Sequence, residues 1–359
     1  MRLSLLSYLR CPITQSCLDI QIISFEEKSV IGVGEKEIHE AILFSSNKCC
    51  YPVIDGVPRL LAEAILDYED FLKQHLENFD TLKKEIFVQY GDIILSAAKS
   101  NKRTKESFAK EWSLFNLQSD KTWDADETEM VTRFYEETGH TKEELQKMMV
   151  LDAGCGNGKL NLLLANEGIS QIATDFSESL VAAHKQNIHP HLHFVQADIQ
   201  FPIFENNSFE LVQCSGVLIH TKNTEESFKK IASLPKDNGT LSVWLYHPRE
   251  NLLHNLFNQL RKFTSKLSPS LNLTLLSYTI FPISYFVKRL KGNKQNKREM
   301  MVDILDWFTP QYRWEHTHEE ARNWFEQADY KQVEVSKTSL FGFNMKGVKK
   351  PLHNSEPVR

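Results

Sequence analysis

Val150-Leu151-Asp152-Ala153-Gly154-Cys155-Gly156-Asn157-Gly158-Lys159-Leu160 constrains this chain more than any other stretch. It reads as a short apolar strand that runs into a glycine-rich turn and then a helix. Without Cβ atoms the backbone turns tightly and a ligand approaches it to contact distance. The spacing is G-x-G-x-G, whereas dinucleotide-binding turns read G-x-G-x-x-G. Asp152, two residues before the first glycine, would repel a pyrophosphate. A turn lined with carboxylate suits a ligand with a positively charged amino acid end.

Gln171-Ile172-Ala173-Thr174-Asp175-Phe176-Ser177 is a second short strand ending in an acid, about twenty residues past the glycines, where an α/β sheet offers a carboxylate to ribose hydroxyls. His193–Ile199 is a third, and its Asp198 suits an adenine amino group. Glu210–Ser215 and Gly239–Tyr246 read as the fourth and fifth strands. Strands alternating with helical stretches predict a parallel sheet with its ligand beyond the strands' carboxyl ends. Asp175 or Asp198 alone would serve equally well as a helix N-cap. Three acids at three strand ends point instead to a nucleoside with a cationic tail, and S-adenosylmethionine is such a molecule.

Residues 148–246 resemble the class I S-adenosylmethionine-dependent methyltransferases. The matching residues are Leu151–Gly158, Thr174-Asp175-Phe176-Ser177, Ala197-Asp198-Ile199 and Ser215-Gly216-Val217-Leu218-Ile219-His220-Thr221. The resemblance implies an α/β fold with a Rossmann-like sheet, parallel apart from a C-terminal antiparallel strand. It places the methionine portion of S-adenosylmethionine on Asp152, Gly154, Cys155, Gly156 and Gly158. Asp175 and Phe176 would meet the ribose, Asp198 and Ile199 the adenine, and Cys214 would complete the cofactor set. Relatives often carry two adjacent histidines after the fourth strand. Here Ile219 holds the first place and His220 the second. His220 is the candidate catalytic base for an oxygen or nitrogen acceptor. A histidine that merely supports the loop explains the position as well, and Tyr246 and His247 are secondary candidates.

At 359 residues, with 41% hydrophobic and 25% charged side chains, the chain has the make-up of an ordinary soluble protein. Its net charge of −5 is unevenly spread. Residues 251–298 hold nine lysines and arginines and no acid, which leaves about −14 on the remainder. The segment includes the apolar run Leu271–Val287, too short and too polar for a membrane span, followed by the basic cluster Lys288–Arg298. This insert, residues 249–316, reads as a helical cap. It would cover a small or lipophilic acceptor, contact an anionic membrane surface or anionic partner, or present a merely solvated basic face. The six cysteines and the lack of a secretory signal read as cytoplasmic, with peripheral membrane contact through the insert.

Residues 1–62 form a second unit. Leu6–Pro12 and Tyr51–Leu61 bracket short strands and resemble the zinc-ribbon-like family that includes the activator subunit of several RNA and protein methyltransferases. Members often carry two C-x-x-C knuckles. Here Thr14 stands at the partner position of Cys11, Cys17 follows later, and Cys49 and Cys50 are adjacent. A metal-free β module is expected. Residues 63–105 read as a helical linker, with Asn101-Lys102-Arg103-Thr104-Lys105 as an exposed loop. Residues 106–359 form the methyltransferase domain, opened by the aromatic segment Ser107–Phe115, a cofactor lid or an ordinary packing helix. The functional expectation is methyl transfer to a small, hydrophobic acceptor. The alternatives are an RNA methyltransferase, which the acidic remainder and the incomplete cysteine set disfavour, and a non-catalytic cofactor-binding docking protein.

Overall fold

The computed structural model describes residues 1–27, 36–114, 125–249 and 252–351. Near the N-terminus, β1 (Leu18–Glu26), β2 (Glu37–Ser45), β3 (Cys50–Ile54) and β4 (Val57–Leu60) form an antiparallel meander. Asp55 and Gly56 take positive φ (52° and 74°), as a two-residue turn needs if its twist is to match the strands. Helices α1 (Ala64–Asp67), α2 (Glu69–His75) and α3 (Phe79–Ser113) follow, then α4 (Glu127–Thr138) and α5 (Lys142–Leu145). The alternating region runs β5 (Met149–Ala153), α6 (Lys159–Asn166), β6 (Ser170–Asp175), α7 (Leu180–Gln186), β7 (Leu192–Ala197), β8 (Phe209–Ser215), α8 (Thr224–Ala232) and β9 (Pro235–Tyr246). The cap is α9 (Leu252–Thr264), α10 (Pro269–Tyr278), α11 (Ile280–Leu290) and α12 (Lys297–Phe308). The chain closes with α13 (His318–Gln327), β10 (Tyr330–Thr338) and β11 (Gly342–Lys349). Thr317 caps α13: its hydroxyl accepts from the Glu320 N–H while its own N–H donates to the Glu320 carboxylate, as the acidic first turn predicts.

All eleven strands join one sheet, in the order β1-β2-β3-β4-β7-β6-β5-β8-β9-β11-β10. Strands β5 to β9 are mutually parallel, and β11 runs antiparallel between β9 and β10. This is the expected Rossmann-like α/β sheet with its antiparallel strand. Chain direction across the sheet reverses between β5 and β8. A doubly wound sheet opens its ligand crevice at such a switch point.

The segment 1–62 joins the rest of the sheet, where β4 pairs in parallel with β7 through Arg59 opposite Gln196 and Leu60 opposite Ala197. Leu5, Leu9, Tyr51 and Phe79 share one core with Phe204, Phe209 and Phe343, so burial on both sides depends on the contact. One expectation needs correction. Residues 101–105 are not a loop but part of α3, a helix of 35 residues and so about 50 Å long. Their polarity has a use on a helix face. Asn101 is buried and donates to Asp198 (2.9 Å), Lys105 pairs with Glu63 (2.9 Å), and Arg103 donates to the Leu267 carbonyl of the cap (2.6 Å). The lid segment continues α3 as far as Ser113, and Phe115 lies outside the described residues.

Candidate active site

The turn after β5 is held open by conformation and by contact. Gly154, Gly156 and Gly158 have φ of 104°, 58° and 73°. A Cβ on Gly154 would come within 2.1 Å of Val217, so this glycine lets the loop after β8 approach. The N–H groups of Gly154 and Cys155 both donate to the Thr174 carbonyl (2.8 Å each), which ties the turn to β6. Asp175 at the end of β6 accepts from the Gly156 N–H (2.9 Å) and from the Ser177 N–H and hydroxyl (2.8 Å each). Asp152 accepts from Asn161 (2.9 Å), and burial lifts its carboxyl to about 6. Asp198 accepts from the Gln200 N–H (2.8 Å) and from Asn101, yet burial still carries it to about 6.

A cavity of about 870 Å³ lies beyond the carboxyl ends of β5, β6 and β8, beneath the cap. His220 enters it from the 3-10 turn Leu218–His220 after β8, and Tyr246 from the end of β9. Glu111 comes from α3, and Asp306 and Trp307 come from α12. The His220 Nδ1–H donates to the Tyr312 carbonyl (2.9 Å), which assigns the lone pair to Nε2, 3.6 Å from Asp306 Oδ1. Burial holds the imidazole below its ordinary value, partly opposed by Asp306. The Tyr246 hydroxyl donates to the other Asp306 oxygen (2.6 Å). Behind them the Arg313 guanidinium stacks between the rings of Tyr246 and Trp307, 3.9 and 3.7 Å from their centroids, and pairs with Glu315 (2.6 Å). Phe108, Trp244, Phe257 and Phe341 add apolar wall.

Among the described residues, buried polar atoms on this cavity without a hydrogen-bond partner include Asn157 Nδ2, Gln213 Oε1, Trp307 Nε1 and both carboxylate oxygens of Glu111. Burial first, then Asp306, Asp303 and Asp175, pushes the Glu111 carboxyl well above its usual range. Seven carboxyl groups (Glu111, Glu137, Asp152, Asp175, Asp198, Asp303 and Asp306) and unfilled polar atoms around one cavity fit a ligand that is cationic at one end and hydrogen-bonding at the other.

Residues 150–239 match the methyltransferase domain family. The match places a methyltransferase domain on the segment that carries the turn, with S-adenosylmethionine as its cofactor. A ubiquinone biosynthesis O-methyltransferase of Coxiella burnetii is 30% identical over 95 residues, 26% of this chain and 41% of that protein. Its namesake from Rickettsia akari is 25% identical over 105 residues, again 41% of its length. The chain thus spans about two fifths of the curated relatives it matches. Among solved structures, magnesium protoporphyrin IX methyltransferase of Synechocystis PCC 6803 with bound SAH is 14% identical. It covers 71% of this chain and 100% of its own, at a TM-score of 0.39. The 1,6-didemethyltoxoflavin-N1-methyltransferase of Burkholderia thailandensis is 13% identical, covers 64% and 80%, and has the same TM-score.

Of the residues that sequence reasoning singled out, Asp152, Gly154, Cys155, Gly156, Asp175, Phe176, Asp198, Ile199 and His220 line the one cavity. Gly158 and Cys214 do not. A Cβ on Gly158 would sit 2.7 Å from Ala183 and from Phe194, so that glycine serves close packing of the start of α6 against α7 and β7. Cys214 is fully buried in the apolar core. Of the secondary candidates Tyr246 lines the cavity, whereas His247 turns to the Pro248 carbonyl (3.0 Å). Sequence reasoning missed Glu111, Asp306 and Arg313. The available signal was an acid set among apolar neighbours, as in Phe108-Ala109-Lys110-Glu111-Trp112 and Ile304-Leu305-Asp306-Trp307-Phe308. In the N-terminal meander Cys11, Cys49 and Cys50 are buried and Cys17 is exposed. Among the described residues no group of three or more His, Cys, Asp or Glu side chains is arranged to hold a metal.

Proposed function

We propose that this protein catalyses S-adenosylmethionine-dependent methylation of a hydroxyl group on a small acceptor with an apolar body. The observation that carries this reading is His220. It is buried on the cavity wall beside the cofactor loops, with its Nε2 lone pair free of the Tyr312 hydrogen bond and Asp306 3.6 Å away. When bound, S-adenosylmethionine supplies an electrophilic methyl group. Asp152 and the Gly154–Gly156 turn would hold its amino acid end, Asp175 with Phe176 its ribose, and Asp198 with Ile199 its adenine. His220 would take the acceptor's proton at Nε2, and Asp306 would then stabilise the imidazolium. The Tyr246–Asp306 hydrogen bond and the Arg313 stack fix that carboxylate and its wall, so positioning is largely built before substrate arrives. The aromatic walls favour a ring-bearing acceptor, and the curated relatives carry the name O-methyltransferase.

The test begins with calorimetric titration of S-adenosylmethionine and S-adenosylhomocysteine. Labelled methyl transfer to a panel of phenols and catechols follows, with bulk RNA as comparison. Micromolar binding and an alkali-stable methyl ether support the reading. Transfer to RNA alone would overturn the acceptor class, and cofactor binding with no transfer at all would leave a binding protein.

A further inference from the structure

Ten of the twenty large apolar side chains exposed among the described residues lie between Leu252 and Leu290. They are ordered. On α9, Leu252, Leu256, Leu260 and Phe263 recur at helical spacing and are 90%, 55%, 39% and 63% exposed. The opposite side of α9 buries His254 and Thr264 and turns Arg261 inward to the Pro310 carbonyl (2.9 Å). On α11, Ile283, Phe286, Val287 and Leu290 point outward, while Ile280, Ser284 and Lys288 line the cavity. Both helices therefore carry an outward apolar stripe in addition to the apolar side chains Phe257, Ile280 and Phe281 that they turn inward, whereas an ordinary surface helix is polar on its outer face.

The same segment is basic. Lys262, Lys266, Arg289, Lys291, Lys294 and Lys297 are exposed on these helices and their ends, and no carboxylate interrupts residues 251–298. Of the positive charges in that stretch, Arg261 and Lys288 are withdrawn; Lys288 pairs with Asp303 (2.7 Å). No single helix among the described residues is long and apolar enough to cross a membrane, and α10 with α11 meets the requirement only as a pair bent by 53°.

We propose that the outer face of α9, α10 and α11 docks on an anionic lipid bilayer. The apolar stripes enter the headgroup region, and the lysines and arginines meet lipid phosphates. Charge selects this occupant. A second copy would set one basic face against another, whereas an anionic bilayer satisfies the apolar and the basic residues together. Continuity adds to it, because α11 has one face on the bilayer side and the other on the cavity. A lipophilic acceptor leaving the bilayer would need to pass only that helix. This last step rests on the methyl-transfer reading; the docking does not.

The test is flotation of the full chain with vesicles of phosphatidylcholine, alone or in equal parts with phosphatidylglycerol. The expected result is recovery with the anionic vesicles, lost at high salt, and binding to phosphatidylcholine weaker by about tenfold or more. Phe286→Glu combined with Leu290→Glu changes two exposed positions, and a retained far-ultraviolet spectrum and cofactor titration would confirm the fold. That variant is expected to lose at least about tenfold in vesicle affinity. Failure of the native chain to bind either vesicle overturns the proposal, as does binding that the double variant leaves unchanged. A concentration-dependent dimer abolished by the double variant, with no vesicle binding, would assign the face to self-association. Vesicle binding is read without turnover, so its failure leaves the methyl-transfer reading standing.

Discussion

At the scale of single residues, the cavity holds groups that are costly to stability and useful to binding. Glu111 is buried with both oxygens unpartnered among the described residues, a state that ordinarily costs about 1–3 kcal/mol. Glu111→Gln should therefore leave the thermal midpoint unchanged or raise it by a few degrees, while cofactor or acceptor affinity falls about tenfold or more; calorimetry and a thermal melt decide both. His220→Ala should lower kcat by about 10²–10⁴ with cofactor affinity kept. The pH profile adds a signature. Burial holds the His220 imidazole below its ordinary 6.5, so the neutral base persists at that pH. The acid limb of the rate should appear only below it, and a limb at or above 7 would exclude His220 as the base. Asp152 works in the other direction. Its carboxyl at about 6 must ionise beside a cation, so S-adenosylmethionine affinity should fall as pH drops through about 6, and binding there should release protons measurable in buffers of different ionisation enthalpy.

At the scale of elements, α3 is the piece that sequence misread and structure explains. A polar run at 101–105 looks like a loop when each residue is judged by its own solubility. Its partners Asp198, Glu63 and Leu267 are distant in sequence, and only they turn the polarity into a buried face. Asn101→Leu should destabilise the protein by about 1–3 kcal/mol in urea melts, because it leaves Asp198 and Glu63 without that donor. A variant of native stability would show that α3 is held elsewhere. The sheet, by contrast, was legible, since apolar strands, acids at strand ends and glycine turns are local patterns. Of the residues read from the sequence for the cofactor, all but Gly158 and Cys214 border the cavity. Gly158 ends the turn and Cys214 lies near the end of β8, but the first packs closely on Ala183 and Phe194 and the second is turned into the core. The acceptor side was mostly illegible. Glu111, Asp306 and Arg313 come from α3, from α12 and from the loop after it, and nothing in spacing foretells their meeting over Tyr246.

At the scale of the whole molecule, the N-terminal meander and the alternating region share one sheet and one apolar core. Removal of residues 1–62 would strip Leu5, Leu9 and Tyr51 from a shared core and unpair the outer side of β7. The shortened chain is expected to aggregate or to lose its cooperative melt, and a soluble fragment with the native midpoint would show two independent units. The strand β4 also bears on assembly. Because the same polypeptide supplies it, its pairing with β7 carries no cost of bringing two molecules together, and dilution does not undo it. A foreign strand seeking that edge competes against a tethered neighbour present at one copy per molecule. The outermost edge is instead β1, whose register is broken twice around Ser24, a poor template for further strands. This side of the sheet thus has its stoichiometry written into the chain and is indifferent to how crowded its surroundings are.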